Sequence, residues 1–288
     1  MNLQERIDLL VKLGKYLRSN EDAWINAKQK ASQENGWFLP AFIQLAADSI
    51  ADQFLSEPAL NSFVSAYQVP ATTPAPKTVG LVMAGNIPLV GFHDWLCIFL
   101  SGHRALVKTS SKDKVLITHI VDKLASWNEE VTTQTVFSEM LKGCDAYIAT
   151  GSNNTARYFD YYFSKYPHII RRNRTSVALL TGNEDAATLA LLADDVNLYF
   201  GLGCRNVTKI YVPQGYNFVP LLESFNRYAY FADNAKYKNN YDYQLAILLL
   251  NHQYYMTNGS VLLVENSAPF SAISQLHYEY YQGQPHEI

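Results

Sequence analysis

From Lys77 onward, short β-type runs alternate with segments of helical length, and this order constrains the fold more than any other feature of the chain. Residues 78–84 form a mostly apolar run that ends at Gly85. Residues 89–100 have helical length, 105–108 are extended, Val115–Trp127 is helical, Ala146–Thr150 is extended and 155–165 are helical. The alternation continues with a strand at 176–180, a helix at 185–199, a strand at 207–212 and a helix at 218–230. Residues 235–258 read as helical and 260–264 as extended. Such alternation predicts parallel sheets built from βα units. Ahead of it, residues 1–68 read as helical, with Leu3, Ile7, Leu10, Val11 and Leu17 on one stripe. Residues 69–77 carry three prolines in nine positions and read as a linker or an extended lead-in to the first strand.

A chain of 288 residues, 48% of them hydrophobic, has apolar side chains enough for roughly two domains at about 150 residues each. The net charge of −3 and the lack of a polybasic run argue against a nucleic-acid surface and against binding to an anionic membrane. No apolar run approaches the ~18 residues of a spanning helix. The opening Met1-Asn2-Leu3-Gln4-Glu5-Arg6 does not read as a signal peptide. Three cysteines exclude a disulfide scaffold, so a reducing cytoplasm is expected. There are 20 tyrosines, clustered at 158–166, 228–243 and 278–281, which read as packing or as a subunit interface; a homo-oligomer is expected. Base stacking would want interleaved Lys and Arg, which are sparse there. No metal is expected, because paired-His and Cys-x-x-Cys spacings are absent.

Four turns hold residues with chemical capacity. Gly85-Asn86-Ile87-Pro88 ends the first strand, where parallel sheets bind ligands, and is equally an ordinary turn. Lys108-Thr109-Ser110-Ser111-Lys112 ends the second and suits ribose or phosphate, or is a solvated loop. Thr150-Gly151-Ser152 precedes a helix and offers free N–H groups to an anion, or simply caps that helix. Gly201-Leu202-Gly203-Cys204-Arg205-Asn206 places a thiol beside an arginine that would favour its thiolate; otherwise Cys204 is a small hydrophobe. The two glycines at 201 and 203 are not a dinucleotide fingerprint, since the third is missing and a strand follows. Cys97 and Cys144 read as buried hydrophobes, and His93-Asp94 as a helix surface.

Taken in order, the four turns resemble the aldehyde dehydrogenase superfamily. Asn86-Ile87-Pro88, Lys108-Thr109-Ser110, Thr150-Gly151-Ser152 and the Gly-x-x-Cys turn at 201–204 follow that family's sequence of motifs. Within it, the phrase Gly201-Leu202-Gly203-Cys204-Arg205-Asn206-Val207-Thr208-Lys209 is most similar to acyl-CoA reductases of the bioluminescence fatty-acid-reductase type. The resemblance covers roughly residues 70–265. It implies an α/β, aldehyde-dehydrogenase-like fold: a helical segment 1–68, a parallel-sheet nicotinamide-cofactor domain 69–175 and an α/β catalytic domain 176–288. Family members run on past residue 288, so a fragment or a shortened variant is expected.

The implied chemistry is reduction of an acyl-CoA or acyl-carrier thioester to an aldehyde. Cys204 is the nucleophile, and the oxyanion is held by the Asn86 amide and the Cys204 backbone N–H. Lys108 and Ser110 hold the adenosine ribose or the 2′-phosphate of NADPH, with NADH as the other cofactor, and Gly151 and Ser152 face the pyrophosphate. An acyl-transferring protein is an expected partner. Water-using relatives carry a Glu-Leu-Gly-Gly turn that supplies a base; the region here, Arg172-Asn173-Arg174-Thr175-Ser176, has no carboxylate. Two other readings remain open at this level: an inactive binding protein on the same fold, and a cysteine acyltransferase without hydride transfer.

Overall fold

The computed structural model describes residues 1–283. The chain divides into two compact units, 1–173 and the part from Arg174 onward.

The first unit begins with four helices, α1 (Leu3–Leu17), α2 (Asp22–Glu34), α3 (Pro40–Gln53) and α4 (Glu57–Ala66). Asn2 and Glu5 form a reciprocal capping box that starts α1. The apolar stripe of α1 then buries Ile7, Leu10, Leu13 and Leu17. Next come β1 (Thr78–Val82), α5 (Phe92–Leu100), β2 (Arg104–Lys108), α6 (Val115–Trp127), α7 (Val131–Gln134), β3 (Thr135–Phe137), β4 (Ala146–Thr150), α8 (Asn153–Phe163) and β5 (His168–Arg171). The strands form one sheet in the order β3-β2-β1-β4-β5, and every neighbouring pair is parallel. Helices α1–α4 share a single apolar core with this sheet, in which Leu10, Trp24, Leu81, Trp95, Val107 and Leu116 are fully buried.

The second unit contains β6 (Ser176–Leu179), α9 (Ala186–Asn197), β7 (Val207–Pro213), α10 (Val219–Ser224), α11 (Ala235–Leu250), β8 (Met256–Thr257), β9 (Leu262–Glu265) and β10 (Gln275–Tyr281). A tight turn with left-handed backbone at Tyr199 and Phe200 follows α9 at Leu198–Gly201, and a 3₁₀ segment follows α10 at Phe225–Asp233. The sheet order is β6-β7-β10-β9-β8; all pairs are parallel except β8 with β9.

The structure departs from the sequence reading in several elements. Helix α5 starts at Phe92, not 89, because Leu89 adopts a left-handed φ of 57°. The helix expected over 235–258 ends at Leu250, and 256–257 pair as a strand. The helix expected over 218–230 tightens into a 3₁₀ segment after Ser224. Strands β3 and β5 are short edge strands with little alternation to read. The largest omission is β10, the central strand of the second sheet. Its sequence Gln-Leu-His-Tyr-Glu-Tyr-Tyr looks like surface, yet Leu276, His277 and Tyr278 are buried. Glu279 forms an ion pair with the buried Lys209 of β7, whose ammonium also donates to the Ser267 carbonyl at 2.7 Å. The tyrosine clusters separate accordingly. Tyr228, Tyr237, Tyr241 and Tyr278 are core residues, whereas Tyr158, Tyr161 and Tyr162 on α8 are exposed.

If β10 is central, removing its fully buried leucine leaves a cavity in the middle of the second sheet. Leu276→Ala is expected to lower unfolding free energy by about 3 kcal/mol in urea titrations. An unchanged transition would show that 275–281 is peripheral.

Candidate active site

Strand order in the first sheet reverses at β1: β2 and β3 lie to one side, β4 and β5 to the other. In open parallel sheets, ligands bind at the carboxyl edge beside such a reversal. Asn86 lies in the turn after β1, Lys108 ends β2, Ser110 lies in the following loop, and Gly151-Ser152 join β4 to α8. These five residues therefore share one edge of one sheet. Cys204 belongs to the second unit.

The turn after β1 touches the loop after β2 because residue 85 has no side chain. A Cβ on Gly85 would lie 2.5 Å from the Ser110 Oγ and 2.6 Å from its Cβ. Lys108 is exposed, and its carbonyl accepts the Met83 N–H at 3.0 Å. The Ser152 Oγ caps α8 by accepting the Thr155 N–H at 3.2 Å. The Gly151 N–H, expected to be free, donates to the Arg171 carbonyl at 3.1 Å; the turn is closed by its neighbour β5. An exposed ammonium, two hydroxyls and a helix N-terminus at a strand-order reversal are donors suited to the phosphates and ribose of a dinucleotide.

Behind this edge, Asp94 in the first turn of α5 is buried and forms an ion pair with Arg171 at the end of β5. Burial alone would raise the Asp94 pKa, but His93 and Arg171 reverse this and hold it below the usual carboxylate range. Asp94 is thus no helix-surface residue; its partner lies 77 positions away. His93 is held above the ordinary imidazole range by Asp94 and then by Cys97. The Cys97 Sγ lies 4.0 Å from the His93 Nε2 and is only partly buried, unlike the fully buried Cys144.

In the second unit, Cys204 is exposed on the turn entering β7. Three successive residues before it, Tyr199, Phe200 and Gly201, have left-handed φ values of 56°, 58° and 71°. Aromatic residues seldom adopt that region. Phe200 does so while buried against Phe231 and Tyr237. A single side chain fastens the arrangement. The Asn206 Oδ1 accepts the Gly203 N–H at 2.7 Å, and its Nδ2 donates to the carbonyls of Asp195 at 2.7 Å and Leu198 at 3.1 Å. Its backbone carbonyl accepts from the Ser176 N–H and the Thr175 hydroxyl. Asn206 lies in the motif, but sequence alone showed no role for it, since its partners are mostly backbone atoms. The loop joining β5 to β6 holds no carboxylate. Its Arg172 pairs with Asp160, and its Thr175 hydroxyl is bonded to the Asn206 carbonyl. Among the described residues, no group of three or more His, Cys, Asp or Glu side chains could hold a metal ion.

The fold is that of the aldehyde dehydrogenases. Lactaldehyde dehydrogenase from Escherichia coli is similar with a TM-score of 0.72 and 13% identity, over 98% of this chain and 70% of that one. Aldehyde dehydrogenase 21 from Physcomitrella patens is similar with a TM-score of 0.72 and 12% identity, over 98% and 69%. At such identities the likeness is one of fold. Residues 59–220, more than half of the chain, match the acyl-CoA reductase (LuxC) family, and the chain belongs to it. That stretch contains Asn86, Lys108, Ser110, Gly151, Ser152 and Cys204. A long-chain acyl-protein thioester reductase from Photorhabdus laumondii is 23% identical over 270 residues, covering 82% of this chain. The chain spans about half, 54%, of the length of that relative.

Removing the Asn206 carboxamide would strand the Gly203 N–H and free the carbonyls of Asp195, Val196 and Leu198 at the end of α9. Asn206→Ala is expected to destabilise the second unit by about 3 kcal/mol in urea unfolding. Asn206→Asp keeps the acceptor but loses the donated bonds, and should recover little of this. Full recovery by Asp would show that only the Gly203 contact matters.

Proposed function

We propose that the protein reduces an acyl thioester, carried on CoA or on an acyl carrier, to an aldehyde through a thioester on Cys204. The observation that carries this reading is an exposed thiol on a turn fastened by Asn206, inside the segment that matches the acyl-CoA reductase family. As thiolate, Cys204 attacks the thioester carbonyl; the C–S bond to the carrier breaks, and the carrier thiol leaves with a proton. The Cys204 backbone N–H and the Asn86 carboxamide are assigned to the developing oxyanion. Lys108 and Ser110 are assigned to the adenosine ribose and, with NADPH in preference to NADH, to its 2′-phosphate. Ser152, with Gly151 beside it, is assigned to the pyrophosphate at the start of α8. When bound, the reduced nicotinamide supplies the hydride that converts the acyl group to aldehyde.

The chain's own residues also favour reduction over hydrolysis. Deacylation by water needs a base within hydrogen-bond reach, and the loop of 172–175 offers none. Glu184 is the nearest carboxylate in sequence after it, and it is already engaged. Its Oε1 accepts the Thr181 N–H at 2.5 Å and the Thr181 hydroxyl at 2.8 Å, and its Oε2 accepts the Gly182 N–H at 3.1 Å. Burial would raise its pKa, but these bonds more than offset that and hold it low, as an acceptor and a poor base. The exposed Tyr158, Tyr161 and Tyr162 on α8 support self-association or contact with an acyl-transferring protein. Three free thiols suit a reducing cytoplasm. No helix among the described residues is long and apolar enough to cross a membrane.

Intact-mass measurement after incubation with an acyl-CoA tests this reading. Without NADPH, the acyl adduct should form on Cys204 and persist; with NADPH it should disappear as aldehyde accumulates. Cys204→Ala should lose both adduct and aldehyde, whereas Cys97→Ala should keep both. Full activity in Cys204→Ala, or rapid release of free fatty acid without cofactor, would overturn the assignment.

A further inference from the structure

We infer that Asp113 is a positioning residue for Asn86: from the loop after β2, its carboxylate clamps the turn after β1 in the conformation that carries Asn86. This rests on the role proposed above for Asn86. An aspartate just ahead of an apolar helix ordinarily caps that helix. Asp113 precedes α6, yet its Oδ2 accepts the N–H of Leu89, 24 residues earlier, at 2.6 Å. Lys114, at the N-cap of α6, makes no side-chain capping bond.

The recipient is itself unusual. Leu89 has a φ of 57°, which a leucine adopts only when its surroundings impose it. Burial of its side chain at 3% exposure and the bond from its N–H to Asp113 are those surroundings. The other end of the same turn is also held by the β2 loop. Gly85 packs so closely that a Cβ there would lie 2.5 Å from the Ser110 Oγ and 3.2 Å from the Asp113 backbone nitrogen. Asn86, Ile87 and Pro88 lie between these two grips, so their backbone is fixed from both sides.

Stability alone does not account for Asp113. It is 6% exposed, and among the described residues its Oδ1 is buried with no hydrogen-bond partner. A carboxylate buried with one oxygen unmet is costly. Burial pushes its pKa up to about 7 against the opposing Leu89 N–H. An apolar side chain would fill the site with less penalty. What the clamp gains from Asp113 is an acceptor oxygen placed on the Leu89 N–H.

The test is a double-mutant cycle on the full chain. The rate of Cys204 acylation by an acyl-CoA, without nicotinamide, is followed by intact mass, with melting temperature as the check on folding. Asp113→Ala should slow acylation by about 10- to 100-fold, up to the lower end of the roughly 10²–10³-fold cost of removing an oxyanion donor outright, because Asn86 is misplaced and not lost. Asp113→Asn should stay within about threefold of the wild type, because its carboxamide oxygen still accepts from Leu89. Asp113→Ala combined with Asn86→Ala should be no slower than Asn86→Ala alone. A merely structural residue would give additive losses, and additivity overturns the inference. Should Asp113→Ala not fold, Asp113→Ser, whose shorter side chain withdraws from Leu89, must show the same non-additivity. Hydrogen exchange at the Leu89 amide needs no acyl donor and separates two failures. Lost protection in the variant, with no acylation of wild type, contradicts the proposed function and keeps the clamp. Unchanged protection contradicts the clamp itself.

Discussion

The parallel pairing of β1 with β2 on one side and β4 on the other governs the first unit. Parallel strands deliver every carboxyl end to the same edge, and a reversal of order between two neighbours opens a crevice there. The turn of Asn86, the loop of Lys108 and Ser110, and the Gly151-Ser152 turn thus share an edge although up to 66 positions separate them in sequence. The core below, with Leu81, Val107 and Ala149 at 2% exposure or less, makes that edge rigid. The N-terminal helices contribute to the same core and hold the scaffold from behind.

The second unit achieves rigidity differently. The turn that carries Cys204 is held in a left-handed run by aromatic burial of Phe200 and by the side-chain bonds of Asn206. Strain of this kind persists only where the surroundings over-determine it. It keeps Cys204 exposed at the head of a strand instead of folding it into the core, where most unpaired cysteines reside. In each unit a buried polar side chain fixes a short turn: Asp113 holds Leu89 in the turn after β1, and Asn206 holds the turn of Cys204.

Much of this was legible in the sequence. The runs that became β1, β2, β4 and α6 have the right lengths and are bounded by Gly, Pro or polar clusters. The candidate residues stood at the ends of such runs, where chemistry in parallel sheets is found. What was hidden depends on partners distant in the chain. Strand β10 carries His277 and Glu279, which look solvated until Lys209 is seen to neutralise Glu279 from the adjacent strand. Asp94 looks exposed until Arg171 arrives from β5. Asp113 looks like a helix cap until Leu89 is found beside it. No periodicity encodes such pairings, because a buried charge is specified by its tertiary partner.

The proposed departure of the acyl group on Cys204 as aldehyde, by hydride transfer, is tested most directly with NADPH carrying two deuterons at C4 of the nicotinamide, an acyl-CoA, and mass analysis of the aldehyde released. One deuterium is expected at C1 of the aldehyde, and no labelled aldehyde from Cys204→Ala. Unlabelled aldehyde, or free fatty acid as the sole product, would contradict it.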